Sequence, residues 1–175
     1  RTHDPEGFSA DDDLTLRAAR ALKEATGCPL GVRVTLDKQI PMGAGLGGGS
    51  SDAATVLLGL NQLWQLGLSR ERLIDIARPL GADVPIFVYG QNAYATGIGD
   101  IFEPISLPDR WFVLFMPHVH VATAGIFSAP ELTRDTKPIR IHGFTAMAGR
   151  NDLQPVVEAR QPAVRQAVQL LQQAA

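Results

Sequence analysis

Cysteine is nearly absent from this sequence. Cys28 is the single example in 175 residues, which excludes an intramolecular disulfide, and no Cys/His cluster at zinc-ligand spacing accompanies it. The reducing cytoplasm is then the default compartment. An excess of one charge is also missing. Sixteen basic against 18 acidic side chains give a net charge of −2 and a pI near 6.1, which argues against nucleic-acid or membrane-surface binding driven by bulk positive charge. No apolar run approaches the ~18 residues of a membrane-spanning helix, and there is no repeat or low-complexity segment. The chain opens on Arg1 and not on Met, and it is expected to be a fragment truncated at both ends. What it does have is core material: 45% of its residues are hydrophobic, enough for one domain or part of a larger one.

The periodicities predict a mixed α+β chain. Residues 1–10 read as a loop. Asp11 to Asp13 offer capping oxygens and negative charge to a helix carrying Leu14, Ala18, Ala21, Leu22 and Ala25 on one face, with Gly27 as its stop. Val32, Val34 and Leu36 alternate with polar residues, the period of a half-buried strand. Val56 to Leu66 spread apolar residues around most of a central helix that Gly67 ends, and Ser69 caps a shorter one through Leu73, Ile76, Ala77 and Leu80. Ile86 to Tyr89 is expected as a buried strand, forming a hairpin with Ala93–Thr96 across a turn at Gly90–Asn92. Gly97 and Gly99 mark another turn, Trp111 to Met116 a further strand, and Val164 to Leu171 a last helix.

The densest signal lies between the first strand and the central helix. Five of the seven residues from Gly43 to Gly49 are glycine, and ordering them costs more backbone entropy than ordering alanines. A stripped backbone at a helix mouth offers several unpaired N–H groups and about half a positive charge, which suits phosphate. Ser50 and Ser51 add hydroxyls for phosphate oxygens or a Mg2+ ion. A flexible linker or a tight turn is the plainer alternative, but a linker does not run straight into an apolar helix. Gly43, Gly45 and Gly48 satisfy G-x-G-x-x-G, yet the acidic residue expected about twenty positions on falls at the start of a helix. A Walker A loop needs lysine where Gly49 stands, and no H-R-D or D-F-G segment occurs. The loop belongs to another class of nucleotide binder.

Leu36 to Ala54, centred on Pro41-Met42-Gly43-Ala44-Gly45-Leu46-Gly47-Gly48-Gly49-Ser50-Ser51, resembles the second motif of the GHMP kinase family. Gly81-Ala82-Asp83-Val84-Pro85, Ala95-Thr96-Gly97-Ile98-Gly99 and Asn151-Asp152-Leu153 narrow the likeness to members acting on a cytidine-diphosphate methylerythritol. The resemblance implies a GHMP-kinase fold, with residues 1–107 as the remainder of an ATP-binding domain resembling a ribosomal protein S5 domain 2-like fold. Residues 108–175 would be the start of a ferredoxin-like C-terminal domain. It implies transfer of the ATP γ-phosphoryl group to the 2-hydroxyl of that substrate, in the non-mevalonate route to isoprenoid precursors. ATP, accompanied by Mg2+, would be held by Pro41 to Ser51.

Asp83 would accept or orient the proton of the attacking hydroxyl, helping only where that proton leaves in or near the transition state. The plainer role for Asp83 is a turn carboxylate satisfying nearby N–H groups. Thr123 and Phe127 fall where the family handles substrate, Phe127 either stacking on cytosine or filling a core. Lys38 resembles a loop lysine near the nucleotide, although an exposed strand-end lysine fits as well. His118 and His120 lack a third ligand for a metal, and packing suffices for the scattered methionines.

The family's first motif, A-K-x-N-L-x-L, and its glycine-rich third motif are not in this chain, so the 175-residue polypeptide alone is expected to be inactive. Kinases for mevalonate, homoserine or a sugar, a non-catalytic nucleotide-binding module, and a nicotinamide oxidoreductase are the alternatives. No nucleic acid or membrane partner is expected.

Overall fold

The computed structural model describes residue 9 and residues 11–40, 45–137 and 150–174. The loop expected over residues 1–10 lies outside these apart from Ser9, as do Pro41 to Ala44 and Met147. The chain divides into two compact units, Arg1–Pro108 and Asp109–Ala175.

In the first unit, helix α1 (Leu14–Thr26) starts where the aspartates predict. Asp13 Oδ1 accepts from the Thr15 backbone N–H at 2.8 Å and from its hydroxyl at 2.6 Å, a cap worth about 1 kcal/mol. Gly27 closes the helix in the left-handed region at φ 66°. Helix α2 (Gly48–Leu63) begins inside the glycine-rich stretch and ends at Trp64, before Gly67. Its apolar residues are not all sealed: Ala53, Ala54, Leu57, Leu60 and Trp64 are buried, whereas Leu63 remains 65% exposed. Asn61 ties the turn that follows. Its Nδ2 donates to the Leu68 carbonyl, and its Oδ1 accepts from the Leu68 N–H, each at 3.0 Å. Helix α3 (Arg70–Ala77) is capped by Ser69, whose Oγ accepts from the Arg72 N–H.

The segment expected as a strand, Ile86 to Tyr89, is instead part of helix α4 (Val84–Tyr89). Four apolar residues in a row cannot separate strand from buried helix, and the flanks decide for helix. Pro85 stands in the first turn, where its fixed φ is preorganised and its missing N–H is no loss. Gly90 closes the helix at φ 74°. Arg70 Nη1 donates to the Val88 carbonyl at 2.6 Å and the Tyr89 carbonyl at 3.1 Å, placing a cation at the helix's negative end. With α4 helical, the expected hairpin shifts along the chain: β1 (Ala93–Thr96) pairs antiparallel with β2 (Ile101–Pro104), Ala95 opposite Phe102. The turn between them is the Gly97–Gly99 turn, with φ of 71° and 97° at the two glycines. Tyr89 stacks on Phe102 at 5.0 Å, and Arg78 Nε meets Asp100 Oδ2 at 3.1 Å.

Leu22 from α1, Leu57 from α2, Leu73 from α3 and Val84 and Val88 from α4 are almost wholly buried in one core. Each contributes roughly 1.5–3 kcal/mol relative to an exposed position. The strands expected at Val32–Leu36 and Trp111–Met116 do not form. Both stretches have the right residues, but a strand exists through its ladder partner, and neither finds one among the described residues. Val32 and Leu36 stay about 41% and 43% exposed, and Trp111 is fully exposed.

The second unit contains α5 (Thr123–Phe127), α6 (Gln154–Arg160) and α7 (Pro162–Ala174). The last was expected; α5 and α6 are too short to carry a period. Ile126, Ala129, Leu132 and Val156 form a small core. Arg160 fastens it, its Nη2 lying 2.7 Å from Glu131 Oε1 and its Nη1 donating to the Gly125 carbonyl at 3.0 Å.

Candidate functional site

The glycine-rich stretch enters α2 through two left-handed residues, Gly45 at φ 71° and Gly47 at φ 67°. Gly47 is the N-cap and has no side chain with which to cap. The first backbone hydrogen bond of the helix runs from the Ser51 N–H to the Gly47 carbonyl at 2.9 Å. The amides of Gly48, Gly49 and Ser50 therefore project from the positive end of a four-turn helix without an intrahelical acceptor.

Glycine is required here for contact as well as for φ. A Cβ on Gly47 would stand 2.9 Å from Cε2 and Cζ of Phe87, closer than packed carbons approach. At Gly48 a Cβ would meet the Ile40 side chain at 3.0 Å and the Lys38 ammonium at 3.4 Å. Gly48 is buried beneath these two residues, while Gly45 and Leu46 are exposed and Gly49, Ser50 and Ser51 are half-buried. Lys38 does not hang in solvent: its Nζ lies 2.5 Å from Asp52 Oδ2. Pro41, Met42, Gly43 and Ala44 lie outside the described residues.

Asp83 precedes α4 in the right-handed helical region, φ −89° and ψ −11°. Its side chain is exposed and makes no capping hydrogen bond, so the turn-satisfying role is not the one its carboxylate performs. Helical geometry puts Asp83 on the face of Phe87, four residues on. Since the Phe87 ring rests on Gly47, the helix that begins at Asp83 is packed against the mouth of α2.

Thr123 and Phe127 belong to the second unit, one turn apart at the two ends of α5 and both exposed. Phe127 is 53% exposed and is not a core phenylalanine. The structure thus brings Lys38, Gly47 and Gly48 together in the first unit and Thr123 with Phe127 in the second. His118 and His120 are exposed, and among the described residues no group of three or more His, Cys, Asp or Glu side chains is placed to hold a metal ion. No helix among the described residues is long and apolar enough to cross a membrane.

Sequence reasoning missed Phe87 and Asp52. Once Val84–Tyr89 is read as helix, the spacing of four from Asp83 points to Phe87. Nothing local points from Lys38 to Asp52, fourteen residues away.

Residues 13–91 match the GHMP kinases N terminal domain. Two curated relatives are 4-diphosphocytidyl-2-C-methyl-D-erythritol kinases. The one from Azoarcus sp. is 54% identical over 98% of this chain and 61% of its own length. The one from Thiobacillus denitrificans is 55% identical over 95% of this chain and 60% of its own. A crystal structure of 4-(cytidine 5'-diphospho)-2C-methyl-D-erythritol kinase superposes with a TM-score of 0.72 at 33% identity, over 94% of this chain and 62% of that one. The chain thus spans about three fifths of the length of the relatives it matches. The matched segment, residues 13–91, contains the glycine-rich mouth of α2 and the helices packed around it, and it is this segment that is similar to the GHMP kinases N terminal domain.

Proposed function

We propose that the protein carrying this chain transfers the γ-phosphoryl group of ATP to the 2-hydroxyl of 4-diphosphocytidyl-2-C-methyl-D-erythritol, a step towards isoprenoid precursors. The names of the relatives support the substrate. The observation that carries the chemistry is the contact of Phe87 with Gly47, which packs the helix headed by Asp83 against an uncapped helix N-terminus. Residues 1–107 then serve as part of the nucleotide-binding half and residues 108–175 as part of the substrate half.

The residues present fit an anionic phosphate chain. The amides of Gly48, Gly49 and Ser50 supply donors at the positive helix end, the hydroxyls of Ser50 and Ser51 add two more, and Lys38 adds a cation nearby. Gly45 and Leu46, exposed just ahead of the helix, border the same surface. ATP, with Mg2+, supplies the phosphoryl group. The protein's share of such a reaction is positioning and charge stabilisation. Asp83, uncommitted to any cap, orients the acceptor hydroxyl and takes up its proton as that oxygen bonds to phosphorus. Exposed Phe127 offers a flat apolar face for the cytosine ring and Thr123 a hydroxyl beside it; base stacking on an aromatic contributes roughly 1–3 kcal/mol.

A kinase assay of the full-length protein with this substrate against mevalonate, homoserine and a sugar tests the reading. Turnover confined to the cytidine-diphosphate substrate is expected. Asp83→Asn should lower kcat by about 10²–10⁴-fold while ATP binding survives. Preferential turnover of another acceptor, or an Asp83→Asn enzyme of normal rate, would sink the proposal.

A further inference from the structure

Asp52 has no part in the chemistry just described, yet it decides where the Lys38 ammonium sits. The two charged groups are 2.5 Å apart, and their side chains keep only 28% and 29% of full exposure. Lys38 precedes the glycine-rich stretch; Asp52 lies in the second turn of α2, four residues past Gly48 and so on the same face of the helix. The lysine therefore lies along that face, its Nζ 3.4 Å from the point where a Gly48 Cβ would stand. A lone cation is disfavoured there, because the N-terminal end of a helix is itself positive. A lysine on a four-carbon stem would leave for solvent unless something held it. Ile40 packs over Gly48 beside it, so the ion pair fastens the whole approach to the loop onto the helix.

We propose that Asp52 is a positioning residue for nucleotide binding. Its carboxylate holds the Lys38 ammonium beside the free amides of Gly48 to Ser50, so that cation and helix end present one surface to a phosphate. Asp52 itself touches no phosphate; the lysine stands between. This rests on the reading that the mouth of α2 takes the phosphates of ATP.

The test uses the full-length protein, titrated with ADP by calorimetry and assayed with ATP. Asp52→Asn should raise the ADP Kd and the ATP KM about three- to tenfold, the scale of a partly shielded ion pair, with a smaller change in kcat and an unchanged melting temperature. Lys38→Met should do the same, and the double variant should be no worse than Lys38→Met alone. Asp52→Glu should recover most of the affinity. An Asp52→Asn protein that binds ADP as well as or better than wild type overturns the proposal. So does a loss that persists undiminished in the Lys38→Met background, which would mark Asp52 as a helix-stabilising residue only. Failure of wild type to bind ADP, or Lys38→Met binding it normally, would instead remove the phosphate-surface reading on which the proposal stands.

Discussion

The ring of Phe87 fills the space into which Gly47 would otherwise project a side chain, two ring carbons standing 2.9 Å from that position. The ring belongs to the helix headed by Asp83, and the glycine is the N-cap of α2. The two helices therefore meet at the mouth of α2 through a van der Waals contact, which is steep in distance and indifferent to salt.

Gly47→Ala is expected to break this contact. The left-handed backbone penalises any L side chain by about 1–2 kcal/mol, and the clash adds to it. A lower urea midpoint should accompany a kcat/KM loss of at least about tenfold, since small misplacements are costly in transfer reactions. Phe87→Leu, which opens room beside the ring site, should restore part of the stability of Gly47→Ala. An alanine variant with wild-type midpoint and rate would show that the contact is incidental.

Asn61 offers a cleaner stability test, being remote from the loop. Its amide makes a hydrogen bond in each direction to the Leu68 backbone, closing the turn between α2 and α3. Asn61→Ala leaves one part-buried N–H and one C=O without their partner, for which about 1–3 kcal/mol is expected. Asn61→Asp keeps the acceptor and loses the donor, so it should fall between. Denaturant unfolding of the three proteins checks the order.

Two carboxylates predict the acid limb of stability. Glu131 is held below its ordinary value of 4.5 by its own backbone N–H and then by the hydrogen bond from Arg160, with desolvation opposing them. Glu71 is lowered likewise by its own N–H and by Ser69. A carboxyl whose folded value is depressed binds fewer protons in the native state, so its contribution is complete above the unfolded value and vanishes as pH falls through the folded one. Both groups are exposed, which keeps each effect small. Glu131→Gln should slightly lower the stability of the unit containing α6 at neutral pH, leave it unchanged at pH well below 4.5, and so flatten the loss between the two. An unaltered acid limb contradicts this.

Caps and periods were legible in the sequence wherever the cause is local. Asp13, Gly27 and Ser69 act through neighbours within four residues, and the glycine-rich stretch announces an uncapped helix because backbone freedom is written in residue type. Strands were not legible in the same way. Val32–Leu36 and Trp111–Met116 carry alternating or β-prone residues, but pairing depends on a partner elsewhere in the chain. The helix at Val84–Tyr89 was hidden because four apolar residues fit either period and only the flanking Pro85 and Gly90 break the tie. At the site, Gly47 to Ser51 could be found from composition, whereas the couplings of Lys38 with Asp52 and of Gly47 with Phe87 arise from tertiary packing.

Trp64 is 7% exposed at the end of α2, and Trp111 stands fully in water. They are the chain's two indoles, one in each compact unit. Fluorescence from this polypeptide is accordingly the sum of a short-wavelength component shielded from iodide and a long-wavelength one open to it. Each half carries an intrinsic optical reporter, and the melting of the Leu57 core can be watched through one indole without attaching a dye.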